Sequence, residues 1–129
     1  MNDSALVADA SAVLALLQNE VFRGFDQQRV VGVSISAVNL VEVLTKLRSA
    51  GLDDKESESA VDALDLHVVP FDEGQARAAA HLWPLTKRVG LSLADRACLS
   101  LGIRLGKPVV TADRVWQNLD IGAEVLLIR

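Results

Sequence analysis

"LSLADRACLSLGIRLGKPVVTAD", residues 91–113, passes from one pattern of periodicity to another without a break. Ser92 precedes an apolar run and Asp95 follows three residues later, an acid variant of the capping box that predicts a helix over 91–106. The β-branched stretch of "KPVVTAD" then reads as a strand that ends in an acid, Asp113. Helix and strand alternate in the same way on either side. "ALVAD" (5–9) reads as a buried strand and "SAVLALLQ" (11–18) as a helix. "VVGVSIS" (30–36) reads as a strand whose Ser36 caps the helix of "AVNLVEVLTKLRSAG", closed by Gly51. A polar helix over 53–64 and a strand "LHVVPF" (66–71) follow. A helix then runs from Asp72 to about Leu82, where Pro84 must kink or end it. "RVWQNL" is a short helix after Asp113, and "AEVLLIR" is the last strand. The strands are continuous apolar runs, as expected when both faces of a parallel sheet are covered. The fold class that follows is α/β, a three-layer α/β/α sandwich around a central, mostly parallel sheet.

With 129 residues, half of them hydrophobic, the chain reads as a single domain over 1–129 that needs no disulfide or metal staple. The one cysteine, Cys98, cannot form an internal disulfide and reads as a small core residue; this fits a reducing cytoplasm. No basic region followed by an apolar stretch opens the sequence, and no apolar run approaches a membrane span, so a soluble cytoplasmic protein is expected. The net charge of −4 is unevenly spread. Residues 51–66 carry six acids against Lys55, which leaves the rest of the chain at +1 and open to a phosphate-rich substrate.

Ligands of parallel α/β sheets bind at the carboxyl ends of the strands. Asp9 ends the first apolar run, Asp113 ends a late one, and Asp95 lies in the first turn of its helix, so all three can share one rim. Each also has a plainer reading. Asp95 and Asp113 can serve only as helix caps, and Glu42, on the polar side of its helix with Asn39, Thr45, Lys46 and Ser49, can be a solvated partner of Lys46.

The ordered set "VADASAVLALL", "SISAVNLVEVL", "GLSLADRACLSLGIRLGKPVVTAD" and "RVWQNL" resembles the PIN-domain family, most closely its VapC-type toxin ribonucleases. The family pattern is an Asp after strand one with Ser two places on, a helical Glu, an L-x-x-x-D helix start and a late T-x-D. Here these fall on Asp9 with Ser11, Glu42, Asp95 after Leu91, and Asp113 after Thr111. Trp116 stands where Phe is frequent, and no further acid follows Asp113 closely.

The resemblance implies a catalytic and metal-binding site of Asp9, Glu42, Asp95 and Asp113, with Mg2+ as cofactor and Mn2+ as a substitute. Four carboxylates together repel one another, and a divalent cation relieves that repulsion. Such an ion would activate water for in-line attack on an RNA phosphodiester, leaving a 5′-phosphate and a 3′-hydroxyl. Ser11 and Thr111 would orient the acids or bound water. Arg96 and Arg114 adjoin site acids and are the candidate phosphate contacts, within a basic final third that also holds Lys87, Arg88, Arg104, Lys107 and Arg129. The implied partners are an RNA such as tRNA or rRNA, a small cognate antitoxin, and a second copy in a homodimer. The apolar helices "AVLALL" and "AVNLVEVL" could supply the protein contacts, although core packing accounts for most of that character.

Other chemistries fit less well. His67 and His81 lack metal-ligand spacing, and there is no G-x-S-x-G elbow, P-loop or G-x-G-x-x-G. A PIN fold kept for interaction, with weak or no catalysis, is the alternative. Retention of all four acids counts against it.

Overall fold

The computed structural model describes residues 5–129. Five short strands, β1 (Val7–Ala8), β2 (Ser34–Ser36), β3 (His67–Val69), β4 (Val109–Thr111) and β5 (Val125–Leu127), form one sheet in the order β3-β2-β1-β4-β5. Every pairing is parallel, so the sheet is wholly rather than mostly parallel. Around it run α1 (Ala10–Leu17), α2 (Ala37–Ser49), α3 (Asp54–Asp62), α4 (Glu73–His81), α5 (Trp83–Thr86) and α6 (Leu93–Leu105). β1 is the central strand, and the chain order reverses between β1 and β4. That is the switch point at which a crevice opens beyond the strand ends.

The alternation of side chains along each strand divides the core in two. Leu6, Ala8, Ile35 and Val110 join Val13, Val43 and Leu47 on one side of the sheet. Val7 and Val109 join Cys98, Leu99, Leu101 and Trp116 on the other. Trp116 is fully buried and anchors the short 3-10 helix Arg114–Asn118 to this second cluster. Helix α6 lies very close to β4. A Cβ at Gly102 would stand 2.4 Å from Val109 Cγ1 and 3.2 Å from the Lys107 carbonyl oxygen, so only glycine fits there.

All the strands are shorter than the stretches expected for them, and the second and third have identifiable reasons. In 30–36, Val30 ends a 3-10 turn (Gln27–Val30) and Gly32 takes a left-handed φ of 78°, so the ladder begins only at Ser34. Val30 and Val33 are buried all the same, because burial and strand pairing are separate requirements. In 66–71 the strand stops at Val69, before Pro70, which has no N–H to give. Helix α4 ends at His81, and Pro84 sits in the first turn of α5, where a missing N–H is tolerated. Among the described residues no helix is long and apolar enough to cross a membrane.

Candidate active site

Asp9 follows β1 directly. Its own N–H stays in the sheet, donating to the Val110 carbonyl at 3.1 Å, while its side chain caps α1. The carboxylate is buried and surrounded by donors. Oδ1 accepts from the Ala12 N–H (2.9 Å) and the Ser11 hydroxyl (2.7 Å), and Oδ2 accepts from the Thr111 hydroxyl (2.6 Å) and lies 2.9 Å from the Ser11 Oγ. Thr111 comes from β4, the neighbouring strand, so this cradle spans the switch point. The two hydroxyl oxygens are themselves fixed by backbone: Ala112 N–H donates to Ser11 Oγ at 2.9 Å and Asp113 N–H to Thr111 Oγ1 at 3.0 Å.

Burial nonetheless dominates the acidity of Asp9. Loss of solvent raises its pKa from the ordinary 3.8 to about 6, opposed by the hydrogen bonds from Thr111, Ala12 and Ser11 and assisted by the negative charge of Asp95. A buried carboxylate with hydroxyl donors and an acid nearby, but no cationic side chain among those influences, is a group that a cation would relieve.

The other acids approach from separate elements. Asp95, half-buried, closes a full capping box at the start of α6: its N–H donates to Ser92 Oγ (3.1 Å) and its Oδ2 accepts from Ser92 N–H (2.9 Å). Glu42 is exposed on α2, which packs against α6. Asp113, also exposed, accepts from Val115 N–H at 3.0 Å and caps the 3-10 helix. The buried Cys98 thiol registers three of the four acids: burial pushes its pKa up first, and the charges of Asp9, Asp95 and Glu42 push it further. Asp113 is tied to Asp9 only through its backbone, whose N–H donates to the Thr111 oxygen that in turn donates to Asp9.

Each aspartate thus spends an oxygen on the N-terminus of its own helix. Among the described residues no three of His, Cys, Asp or Glu stand close enough to hold one ion jointly. The donor set is nevertheless hard oxygen throughout. That fits a cation such as Mg2+, which keeps several waters and takes one or two carboxylates directly rather than a full protein cage.

The remaining sequence candidates are spread more widely. Arg96 is half-buried and its Nη1 donates to the Ala79 carbonyl on α4 at 3.1 Å. Arg114 is exposed at the start of the 3-10 helix, next to Asp113. Arg104 pairs with Asp72 and Arg129 with Glu20. The polar face assigned to α2 needs correction. Asn39 is buried at 1 % exposure and Val41 is 63 % exposed, because α2 packs on α1, α3 and α6 at once and has no single apolar stripe. Asn39 Nδ2 donates to the Ala94 carbonyl at 3.1 Å, a contact between two helices that no local sequence pattern signals. His67 and His81 are both exposed and distant in sequence from this rim.

A PIN-domain family model matches residues 6–122. The chain belongs to the PIN-domain family. No curated protein matches this PIN domain by sequence. Among solved structures it is similar to the DNA-bound VapBC of Salmonella typhimurium, at 16% identity and a TM-score of 0.75 over 100% of both chains. It is similar to VapBC-5 of Mycobacterium tuberculosis, a member of the VapBC family of toxin–antitoxin systems, at 22% identity, a TM-score of 0.63 and 97% and 98% coverage of this chain and that one. A third relative is VapC20 of Mycobacterium tuberculosis, described as a sarcin–ricin loop cleaving toxin, at 13% identity, a TM-score of 0.66 and 92% and 98% coverage. At these identities the likeness is one of PIN-domain architecture.

Proposed function

We propose that this PIN domain is a divalent-metal-dependent endoribonuclease and the toxin of a toxin–antitoxin pair, acting on folded RNA such as tRNA or rRNA. The observation that carries the reading is Asp9: a buried carboxylate at the end of the central strand, raised to about 6, within the influence of Asp95. The cap that Asp9 gives α1 does not require its carboxyl to be buried within the influence of another acid, whereas a site for a hard cation gains from both.

Asp9 and Asp95 would hold the cation, with Asp113 and Glu42 completing the acidic rim. Mg2+, or Mn2+ in its place, supplies charge stabilisation at the phosphodiester and a water of lowered pKa when bound. Ser11 and Thr111 keep the Asp9 oxygens oriented, so that the carboxylate need not reorganise during the reaction. Arg114, exposed beside Asp113, contacts an RNA phosphate. The products carry a 5′-phosphate and a 3′-hydroxyl. An RNA substrate is supported by the similarity to VapC20, and an antitoxin partner by the similarity to VapBC complexes. Exposed Trp83, Leu85, Val89 and Leu93 offer apolar area for an antitoxin or a second copy of the chain.

The test is cleavage of a panel of folded tRNAs and rRNA fragments in Mg2+ or Mn2+, beside chelator and the Asp9→Asn variant. Fragments with 5′-phosphates that vanish in both controls are expected. Equal cutting by wild type and variant would overturn the assignment and favour a PIN fold kept for interaction.

A further inference from the structure

Asn39 is a costly residue for its position. It lies in the interface between α2 and α6, 1 % exposed, and its Oδ1 is buried with no hydrogen-bond partner among the described residues. An unpaired buried polar atom lowers stability, and an apolar side chain such as leucine would pack two helices together without that penalty. The amide must therefore be weighed by what its other end does. Nδ2 donates to the carbonyl oxygen of Ala94 at 3.1 Å, and that acceptor fixes which way the amide faces. The Ala94 carbonyl belongs to the same peptide group as the Asp95 N–H, which donates to Ser92 Oγ at 3.1 Å. The peptide plane from which Asp95 projects is thus gripped on both edges, by Ser92 at the N-cap of α6 and by Asn39 from α2.

Asn39 is also three residues before Glu42, on the adjoining turn of the same helix. Its bond therefore links the helix that carries Glu42 to the peptide that carries Asp95. Apolar packing holds α2 against α6, and a directional bond to one carbonyl adds a fixed register between the two helices at this point. We propose that Asn39 is a positioning residue: it fixes the placement of Glu42 relative to Asp95 and so sets the affinity of the site for a divalent cation. This inference rests on the metal-dependent reading of the four acids.

The experiment is Mn2+ titration calorimetry on the full chain as wild type, Asn39→Leu and Asn39→Ala, with urea unfolding in chelator on the same samples. Positioning predicts that both variants bind Mn2+ about tenfold or more weakly. It also predicts that Asn39→Leu unfolds at a urea midpoint no lower than wild type. A merely structural role moves the midpoints and leaves Mn2+ affinity unchanged, and a change of less than twofold in both variants would overturn the inference while sparing the proposed function. Wild-type protein that binds no Mn2+ would overturn both together.

Discussion

Replacing Asp9 by Asn should stabilise this protein in chelator at neutral pH. The folded-state pKa of about 6 lies above the ordinary 3.8, so the folded chain holds the Asp9 proton where the unfolded chain has released it. For a group shifted in this direction, the favourable contribution is fully present below the unfolded pKa and is lost as pH rises through the folded one. A shift of that size corresponds to about 3 kcal/mol of lost stability above pH 7. Roughly 2 kcal/mol of it develops between pH 4.5 and 7.5. An asparagine resembles the protonated carboxyl and does not titrate, so the difference between Asp9→Asn and wild type should open over that window. For a chain of this length, about 3 kcal/mol is roughly 10 °C in Tm. The assay is urea or thermal unfolding of both proteins in chelator at several pH values, repeated with millimolar Mg2+. The ion should raise wild type and leave Asp9→Asn nearly unmoved, since a ligand stabilises only the state that binds it. A variant that is less stable than wild type at pH 7.5 in chelator, by the same margin at pH 4.5, would refute the reasoning: the carboxylate would then be worth more as a helix cap than burial costs it.

Other outcomes follow from the same geometry. Thr111→Val removes a hydroxyl that donates to Asp9 and accepts from the Asp113 N–H, so it should push the Asp9 pKa higher and cost about 1–3 kcal/mol at pH 7.5 by urea unfolding. Gly102→Ala forces a methyl against Val109 and should destabilise by about 1–3 kcal/mol, read as a lower urea midpoint with an unchanged m-value. Arg114→Ala should weaken binding of an uncleaved RNA and reduce the slope of log affinity against log salt by about 1; an unchanged slope would remove Arg114 from the phosphate contacts.

Some of this was open to inspection in the amino-acid order, for identifiable reasons. The Ser92–Asp95 capping box and the parallel sheet depend on local pattern and on continuous apolar runs, both of which survive folding intact. Asp9 was legible because an acid at the end of a buried strand has few alternatives. The limits of β2 were not, since Val30 and Val33 are as apolar as strand residues and only the left-handed Gly32 breaks the ladder. Asn39 was misplaced for a different reason. A helix with three packed neighbours buries parts of its whole circumference, and an amide can face inward once a particular carbonyl lies opposite it. The placement of Glu42 on a helix packed against α6 depends on that interface, which no single segment encodes.

The two hydroxyls around Asp9 have a further property. Ser11 and Thr111 each accept one backbone N–H and lie 3.3 Å from one another, so each keeps one proton to give and one lone pair able to accept. A lysine in their place could only donate, and its positive charge would favour the ionised carboxylate. A hydroxyl can turn. It gives its proton to an ionised carboxylate and can take one from a protonated carboxyl, with no movement of heavy atoms. The cradle is thus reversible in polarity, so the same rigid packing accommodates Asp9 charged, neutral or shared with a cation.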